Sequence, residues 1–359
     1  MYCDYDLSML LFGYTTSLRS MMKISKITCF LGRLPALQRL TLGLLLLLIS
    51  AGCDAPRHNP LDPGNPENLY RRLAGHVQTF SLPRIDLEDV AVQWQVNGSR
   101  IFTNSDGIYD LETINAQDAW LFFEKSGFFS DSVFIIWNSR RTVISDVYLN
   151  SRPLLDSLKF YSVIINRYPS LQTEQAVIES WISDPDNDID TVSAIVAPSP
   201  QALVLTYNPA LKSFERTFSP FDLGVDHLEE CMGYPAAVRV KDAFAHVSSF
   251  DISGLTRVIR DEVRFRSPSG NEITGPEPVL SWDIFSVPFE FTYTIEIFTA
   301  EITPELKWRE EGIGMFETNI QVDLSLPEGP YYWVIWAIDL FGNQTRSKPA
   351  SFTVELASG

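Results

Sequence analysis

The sequence has few cysteines for its length. Of the four cysteines in 359 residues, only Cys53 and Cys231 lie beyond position 52. Two cysteines permit one disulfide at most, and Cys231 loses its partner if Cys53 is modified. A lone cysteine is most often a small buried apolar residue. We therefore predict a buried, unpaired Cys231.

Motifs of catalysis are also missing. The four histidines lie in separate segments, and the chain has no Gly-x-Ser-x-Gly elbow, no His-Glu-x-x-His and no phosphate-binding loop. Glu229 and Glu230 form an adjacent acidic pair, but such pairs usually belong to solvated loops. Carboxylates far apart in sequence can still form a glycosidase site, so this class stays open. We predict that the protein is not an enzyme and has no catalytic residue.

Positive charge is scarce. The chain has 28 lysines and arginines against 45 aspartates and glutamates, a net charge of −17. Removing residues 1–52 takes away five basic and two acidic residues, which leaves −20. Such a chain is repelled by nucleic acid and by anionic headgroups. The composition therefore predicts no nucleic-acid partner.

Helical periodicity is weak throughout. The chain instead contains 22 prolines and 36 phenylalanines and tyrosines, spread over short alternating runs. Aromatic residues in short runs between turn residues are typical of strands. The composition thus predicts an all-β protein with many turns.

No apolar run is long enough to span a bilayer, which needs about 20 residues. The longest run, within Leu40–Cys53, has about ten apolar residues, which suits a signal-peptide core of about 7–15 residues. Between Met21 and this core lie four basic residues and no acidic residue, namely Lys23, Lys26, Arg33 and Arg39. Asp4 and Asp6 are unusual before such a core, so translation could begin at Met21 or Met22. We assign residues 1–52 to the signal peptide.

Small residues end this core. Ser50-Ala51-Gly52 followed by Cys53 resembles the bacterial lipobox, although that family prefers Leu where Ser50 stands. The resemblance implies that Cys53 carries a diacylglyceryl (palmitate-type) lipid and becomes the mature N-terminus. Acyl chains stabilise membrane binding by about 0.8 kcal/mol per buried methylene. An ordinary secretory signal or an uncleaved anchor are the alternatives.

Residues 53–70 form the expected lipid anchor and tether. Four prolines occur in this short segment. Each proline fixes its own φ and restricts the residue before it. The segment is therefore predicted to be a semi-extended spacer.

Residues 71–152 alternate apolar and polar side chains, as in Val90–Val96, which indicates a half-buried strand. Asp106-Gly107 is a hairpin signal. Together with Gly75-x-Val77, Thr103–Leu111 and Glu124–Phe128, the segment resembles the carboxypeptidase regulatory-like module, a transthyretin-like β-sandwich. The resemblance implies a non-catalytic appendage of exported proteins. Some members contact glycans or partner proteins, and no ligand residue carries over.

Residues 155–255 contain seven short strand candidates, the number of an immunoglobulin-like sandwich. Four aspartates alternate within one short segment of this region, at Asp184, Asp186, Asp188 and Asp190. Carboxylate oxygens suit Ca²⁺, so the segment is a candidate calcium site. However, Ile189 and Ile195 stand where an EF-hand loop requires Gly and Glu. A turn without metal is the alternative interpretation.

Residues 260–356 include a strand with a tryptophan at Val279–Trp282, a longer strand at Phe289–Phe298, and the stretch Leu326–Asn343. They resemble a fibronectin type III domain. The resemblance implies that Tyr331 or Tyr332 is the tyrosine of the sandwich corner.

A short pattern occurs twice. Val238–Phe244 and Ile335–Phe341 both follow apolar-x-apolar-x-Asp-x-Phe, which predicts two successive immunoglobulin-like sandwiches. In the second copy both faces of the strand are apolar. We expect its outer face to be covered, by the chain itself or by a partner.

The sequence therefore predicts three consecutive β-sandwich domains, at 71–152, 155–255 and 260–356, after a signal peptide and a proline-rich tether. The leading hypothesis is a lipid-anchored cell-envelope protein with a binding, adhesion or scaffolding role. Its partners would be the membrane, through Cys53, and a protein or glycan. The alternatives are a glycan- or peptide-binding lipoprotein of a transport or degradation system, and an accessory subunit of an envelope enzyme. No cofactor is expected other than the possible Ca²⁺.

Overall fold

The structure, a computed structural model, describes residues 71–113 and 116–356. These residues form strands β1–β25 and two short 3₁₀ helices, Phe221–Leu223 and Leu228–Cys231, so the predicted all-β class is confirmed. Within this part of the chain, no helix is long and apolar enough to cross a membrane. The signal peptide, Cys53 and the tether lie outside the described residues.

The first module consists of two sheets packed over one core. One sheet has the order β4–β1–β7, with β8 also paired to β1, and the other has the order β3–β2–β5–β6. Trp94 and Trp137 meet edge to face at 6.3 Å inside the core. The strands are β1 (Arg71–Thr79), β2 (Ala91–Trp94), β3 (Arg100–Phe102), β4 (Ile108–Thr113), β5 (Ala119–Glu124), β6 (Asp131–Ile135), β7 (Thr142–Ile144) and β8 (Val147–Leu149).

The Asp106-Gly107 turn joins β3 to β4, which belong to different sheets, so the predicted hairpin is wrong here. Gly107 has φ +70°, and a Cβ at this position would lie 2.5 Å from the carbonyl oxygen of Val77. A left-handed backbone and this close approach both require glycine.

The second module encloses a separate core. The sheet β12–β11–β15–β16 faces the run β13–β14–β10–β9. Cys231 is free and buried in this core, as predicted. The strands are β9 (Leu154–Arg167), β10 (Leu171–Ser183), β11 (Ile189–Val196), β12 (Leu203–Val204), β13 (Thr206–Asn208), β14 (Ser213–Phe218), β15 (Ala236–Asp242) and β16 (Val247–Ile252).

The third module has the three-stranded sheet β17–β19–β22 and a larger sheet around β23. Tyr331 is buried, and its hydroxyl donates a hydrogen bond to the carbonyl of Pro327 at 3.0 Å. Tyr331, rather than Tyr332, is therefore the corner tyrosine. The strands are β17 (Phe265–Ser267), β18 (Glu272–Thr274), β19 (Val279–Trp282), β20 (Phe291–Thr299), β21 (Leu306–Gly314), β22 (Asn319–Gln321), β23 (Gly329–Asp339), β24 (Gln344–Arg346) and β25 (Ala350–Val354).

The second and third modules share one sheet. Residues 163–165 of β9 pair in parallel with β24, and this pairing joins the two halves into a ten-stranded sheet. Side-chain alternation in the sequence shows that a segment is a strand, but it does not show which strand about 180 positions away pairs with it. The prediction of separate sandwiches therefore did not include it.

The outer face of β23 is covered in part by the chain itself. Tyr332 stacks on Phe298, and the indole N–H of Trp336 donates to Glu296 at 2.9 Å. Val334, on the same face, is fully buried.

Candidate functional site at the junction of the first two modules

The aspartate-rich segment forms a turn at the junction of the first two modules. Asp184 accepts hydrogen bonds from the backbone amides of Asp186 and Asp188, and Asn187 adopts positive φ. Short polar side chains that bond to their own backbone favour such turns. The segment therefore folds as a turn of this kind.

This turn also fastens the second module to the first. The carboxylate of Asp186 accepts the backbone amide of Ser81 at 3.2 Å and that of Ser151. Both donors belong to the first module. Hydrogen bonds to a charged acceptor are stronger than neutral ones, so a single side chain holds two loops of the neighbouring module.

The arrangement does not fit a calcium ion. Asp184 is turned to its own backbone, Asp186 to the first module, and Asp190 to Lys241 at 3.4 Å. Among residues 71–113 and 116–356, no group of three or more His, Cys, Asp or Glu side chains could hold a metal ion. Calcium binding stays a prediction of the sequence that this geometry does not support.

A second carboxylate completes the junction. Asp242 ends β15 and is buried; it accepts the backbone amides of Phe244 and His246 at 2.9 and 2.8 Å. It also accepts Nδ1 of His246 at 2.7 Å and the amide nitrogen of Asn150, in the first module, at 3.2 Å. Asp242 thus shapes its own turn and binds the neighbouring module.

The repeated Asp-x-Phe pattern produces the same arrangement one module later. Asp339 accepts the backbone amides of Phe341 and Asn343, both at 2.9 Å. Its other oxygen binds Arg257 at 2.5 Å, and Asn343 accepts the backbone amide of Ser162 in the second module. The pattern that suggested internal repetition therefore marks both places where one module docks on the one before it.

A cavity of about 280 Å³ lies beside the first junction. Both modules line it, with β1 and the loops near β6 and β8 on one side and the β15–β16 turn on the other. The lining consists of Phe80, Phe129, Ser130, Asp131, Tyr148, Asn150, Phe244 and His246. We call it the junction cavity.

Five of the eight residues that line it carry aromatic rings. Phe80 and Phe244, one from each module, meet edge to face at 4.8 Å. Phe129 stacks on the ring of His246 at 4.4 Å. Phe244 is 52% exposed although it contacts another module. Aromatic walls with a few polar groups are typical of small-molecule sites.

Asn150 lines the cavity and bonds to two carboxylates of the second module. Its amide nitrogen donates to Asp188 at 2.7 Å and to Asp242 at 3.2 Å. Carboxylates only accept, so these contacts define which end of the amide is nitrogen. The amide oxygen is left buried without a partner in the described structure.

The pKa of Asp188 is raised. Partial burial disfavours its charged form, and the nearby carboxylates of Asp184 and Asp242 add like charge, against the effect of the Asn150 hydrogen bond. The junction therefore brings together carboxylates that repel one another.

The remaining candidates from the sequence lie elsewhere. His76 contacts the backbone of Asp106, and His227 contacts Glu174. Glu229 pairs with Arg260, so the acidic pair is not a free couple of carboxylates. His246 is the histidine that lines the junction cavity. Sequence reasoning did not find the cavity, because its rings come from four separate segments.

Comparisons with known proteins give weak structural similarities only. No protein-family model and no curated protein sequence matches the chain. Similar solved structures include the major pilin subunit of Bacillus cereus, with 8% identity, coverage of 80% of this chain and 96% of that one, and a TM-score of 0.24. The FN1–FN3 domains of chicken CNTN1 show 9% identity, coverage of 74% and 90%, and a TM-score of 0.30.

The fibronectin(III)-like modules of Clostridium thermocellum CbhA show 9% identity, coverage of 57% of this chain and 94% of that one, and a TM-score of 0.28. TM-scores this low carry no inference about function.

Proposed function

We propose that the protein is a lipid-anchored cell-envelope protein that binds a small ligand at the junction cavity without transforming it. The observation that carries this proposal is the cavity itself, which needs aromatic rings from two modules held together by Asp186 and Asp242. Ligand sites occur preferentially at domain interfaces. Neither module alone would provide this wall.

The anchor rests on the sequence. The short apolar core, the small residues before Cys53 and the proline-rich segment after it support export and acylation. The first module would then be the carboxypeptidase regulatory-like appendage, held above a membrane by residues 53–70. Such a position suits a protein that contacts envelope components.

The polar groups of the cavity support binding rather than catalysis. Asp242 orients His246 as the acid of a catalytic triad orients its histidine. Ser130 lines the same cavity, but within the described structure no hydrogen bond joins it to His246. A triad needs that contact between nucleophile and base.

Acylation is tested by metabolic labelling with an alkyne fatty acid in wild type and in Cys53→Ala. We expect label on the wild type and none on the variant. An unlabelled wild type would refute the anchor, and the cavity would be unaffected by that result.

Binding is tested by thermal shift of the mature chain against a mixed library of sugars, amines, amino acids and nucleosides. A ligand that binds the folded state raises its melting temperature. We expect a shift that Phe244→Ala abolishes, and a ligand recovered unchanged by mass spectrometry. No shift with any class would contradict the cavity's role, and a converted ligand would contradict the absence of catalysis.

A further inference from the structure

The junction cavity has a chemistry that selects one class of ligand. We propose that it binds a single uncharged, hydroxyl-bearing sugar ring, such as the end residue of a neutral glycan. This inference rests on the proposed binding function and narrows its ligand. It follows from the acceptors, the cations, the rings and the size of the cavity.

The free polar groups are hydrogen-bond acceptors. The amide oxygen of Asn150 is unpaired in the described structure but has almost no accessible surface, so a ligand reaches it only after a small local shift. The Asp131 carboxylate accepts one bond, from the amide of Ser132. A matching ligand must therefore offer at least one donor, to the carboxylate of Asp131.

Two rings of the cavity are already engaged by cations of the chain. The guanidinium of Arg84 lies 3.4 Å from the ring centre of Tyr148, and that of Arg152 lies 4.7 Å from the ring centre of Phe129. Both rings thus already have a cation on one face, as cation–π contacts require. An ammonium group would therefore compete with these two guanidinium groups for the rings.

An anionic ligand is disfavoured as well. Asp131 lines the cavity, and Asp188 and Asp242 lie directly behind Asn150. The mature chain also carries a net charge of −20, which repels anions at longer range. Hydroxyl groups provide donors without adding charge of either sign.

The rings and the size fit a sugar. Phe80 and Phe244 offer apolar surface to the C–H face of a pyranose, while the acceptors address its hydroxyls. The volume of 280 Å³ is near the lower end of the range of about 300–1,000 Å³ for ligand pockets. One ring with its substituents fits, and an extended polymer would have to continue outside.

The test is calorimetric titration of the mature chain with three probe sets. The first contains neutral oligosaccharides ending in glucose, galactose, mannose or N-acetylglucosamine. The second contains sialylated and uronate-ended oligosaccharides, and the third contains choline and lysine. We expect binding in the neutral set only.

Two variants locate the site, and a third is the matched control. Phe244→Ala should weaken binding about two- to tenfold, the range for one lost aromatic contact. Asp131→Asn is isosteric and should weaken it too, because an acceptor oxygen becomes a donor. Phe341→Ala removes the equivalent 61% exposed residue from the second Asp-x-Phe turn and should leave affinity unchanged.

The outcomes separate the two proposals. Binding of choline or of acidic sugars, lost in Phe244→Ala, would refute the neutral-sugar assignment and leave the cavity as a binding site. Neutral-sugar binding that both cavity variants leave unchanged would refute this site. Absence of binding in all three sets would refute the assignment, and the mixed-library thermal shift then decides the proposed function separately.

Discussion

Removing the carboxylate of Asp242 should loosen the first junction and the turn that carries Phe244. The Asp242 side chain is 3% exposed and accepts hydrogen bonds from two backbone amides, from His246 and from Asn150. Asp242→Ala leaves both amides and one Asn150 contact without an acceptor. A buried donor left unpaired costs about 1–3 kcal/mol.

The lower end of that range applies because the turn reaches solvent at Phe244. Two amides and one side-chain contact at about 1 kcal/mol each predict a loss of about 3 kcal/mol in the free energy of unfolding. Asp242→Asn keeps one acceptor oxygen for the amides and should lose less. The contribution of His246 is left out, because its ring is partly exposed.

Urea unfolding of the mature chain, followed by tryptophan fluorescence, measures this loss. Asp190→Ala is the matched control, since Asp190 lies near the start of β11, is exposed and, among the described residues, bonds only to Lys241 and the Thr191 hydroxyl at the surface. Exposed ion pairs contribute about 0–1 kcal/mol. Equal stability of Asp242→Ala and Asp190→Ala would refute the argument that the buried carboxylate organises the junction.

Three further predictions follow from single contacts. Burial raises the pKa of Asp188, so its charged form lowers the stability of the fold at pH values above that pKa. Asp188→Asn should therefore raise the melting temperature at pH 7, as measured by scanning fluorimetry. This gain should shrink as the pH falls through the folded-state pKa towards about pH 4. No gain at pH 7 would contradict it. Gly107→Ala should lower the free energy of unfolding of the first module in urea by at least about 2 kcal/mol, because it combines strain at positive φ with a clash against the carbonyl of Val77. A loss below about 0.5 kcal/mol would contradict both causes. Tyr331→Phe should lower the free energy of unfolding by about 1 kcal/mol, because it removes the hydrogen bond to Pro327. An unchanged urea midpoint would show that this hydrogen bond does not stabilise the fold.

Much of the fold could be predicted from local pattern. The alternation of Val90–Val96 locates β2, and the predicted strand Val279–Trp282 has the same bounds in the structure. Period-two burial is a local property, so a single segment is enough to show it. β21, at Leu306–Gly314, was missed because it is an edge strand rich in charged residues, which hide the alternation.

The candidate site could not be predicted in the same way. Asn150 and Asp242 are 92 positions apart, and nothing in either neighbourhood announces the other. The sequence did single out the aspartate-rich turn and the Asp-x-Phe repeat. It did not predict that either segment contacts the preceding module, and it did not predict a cavity. The useful signal was the repeat, because each copy turned out to be a docking turn.

The ten-stranded sheet has a mechanical consequence. β9 and β24 are hydrogen-bonded side by side, so the second and third modules are joined by backbone pairing as well as by the covalent linker. Tension applied between these modules must break the hydrogen bonds between β9 and β24 before the linker can extend. A force that would only extend the linker between two separate domains is here resisted by the hydrogen bonds of a shared sheet.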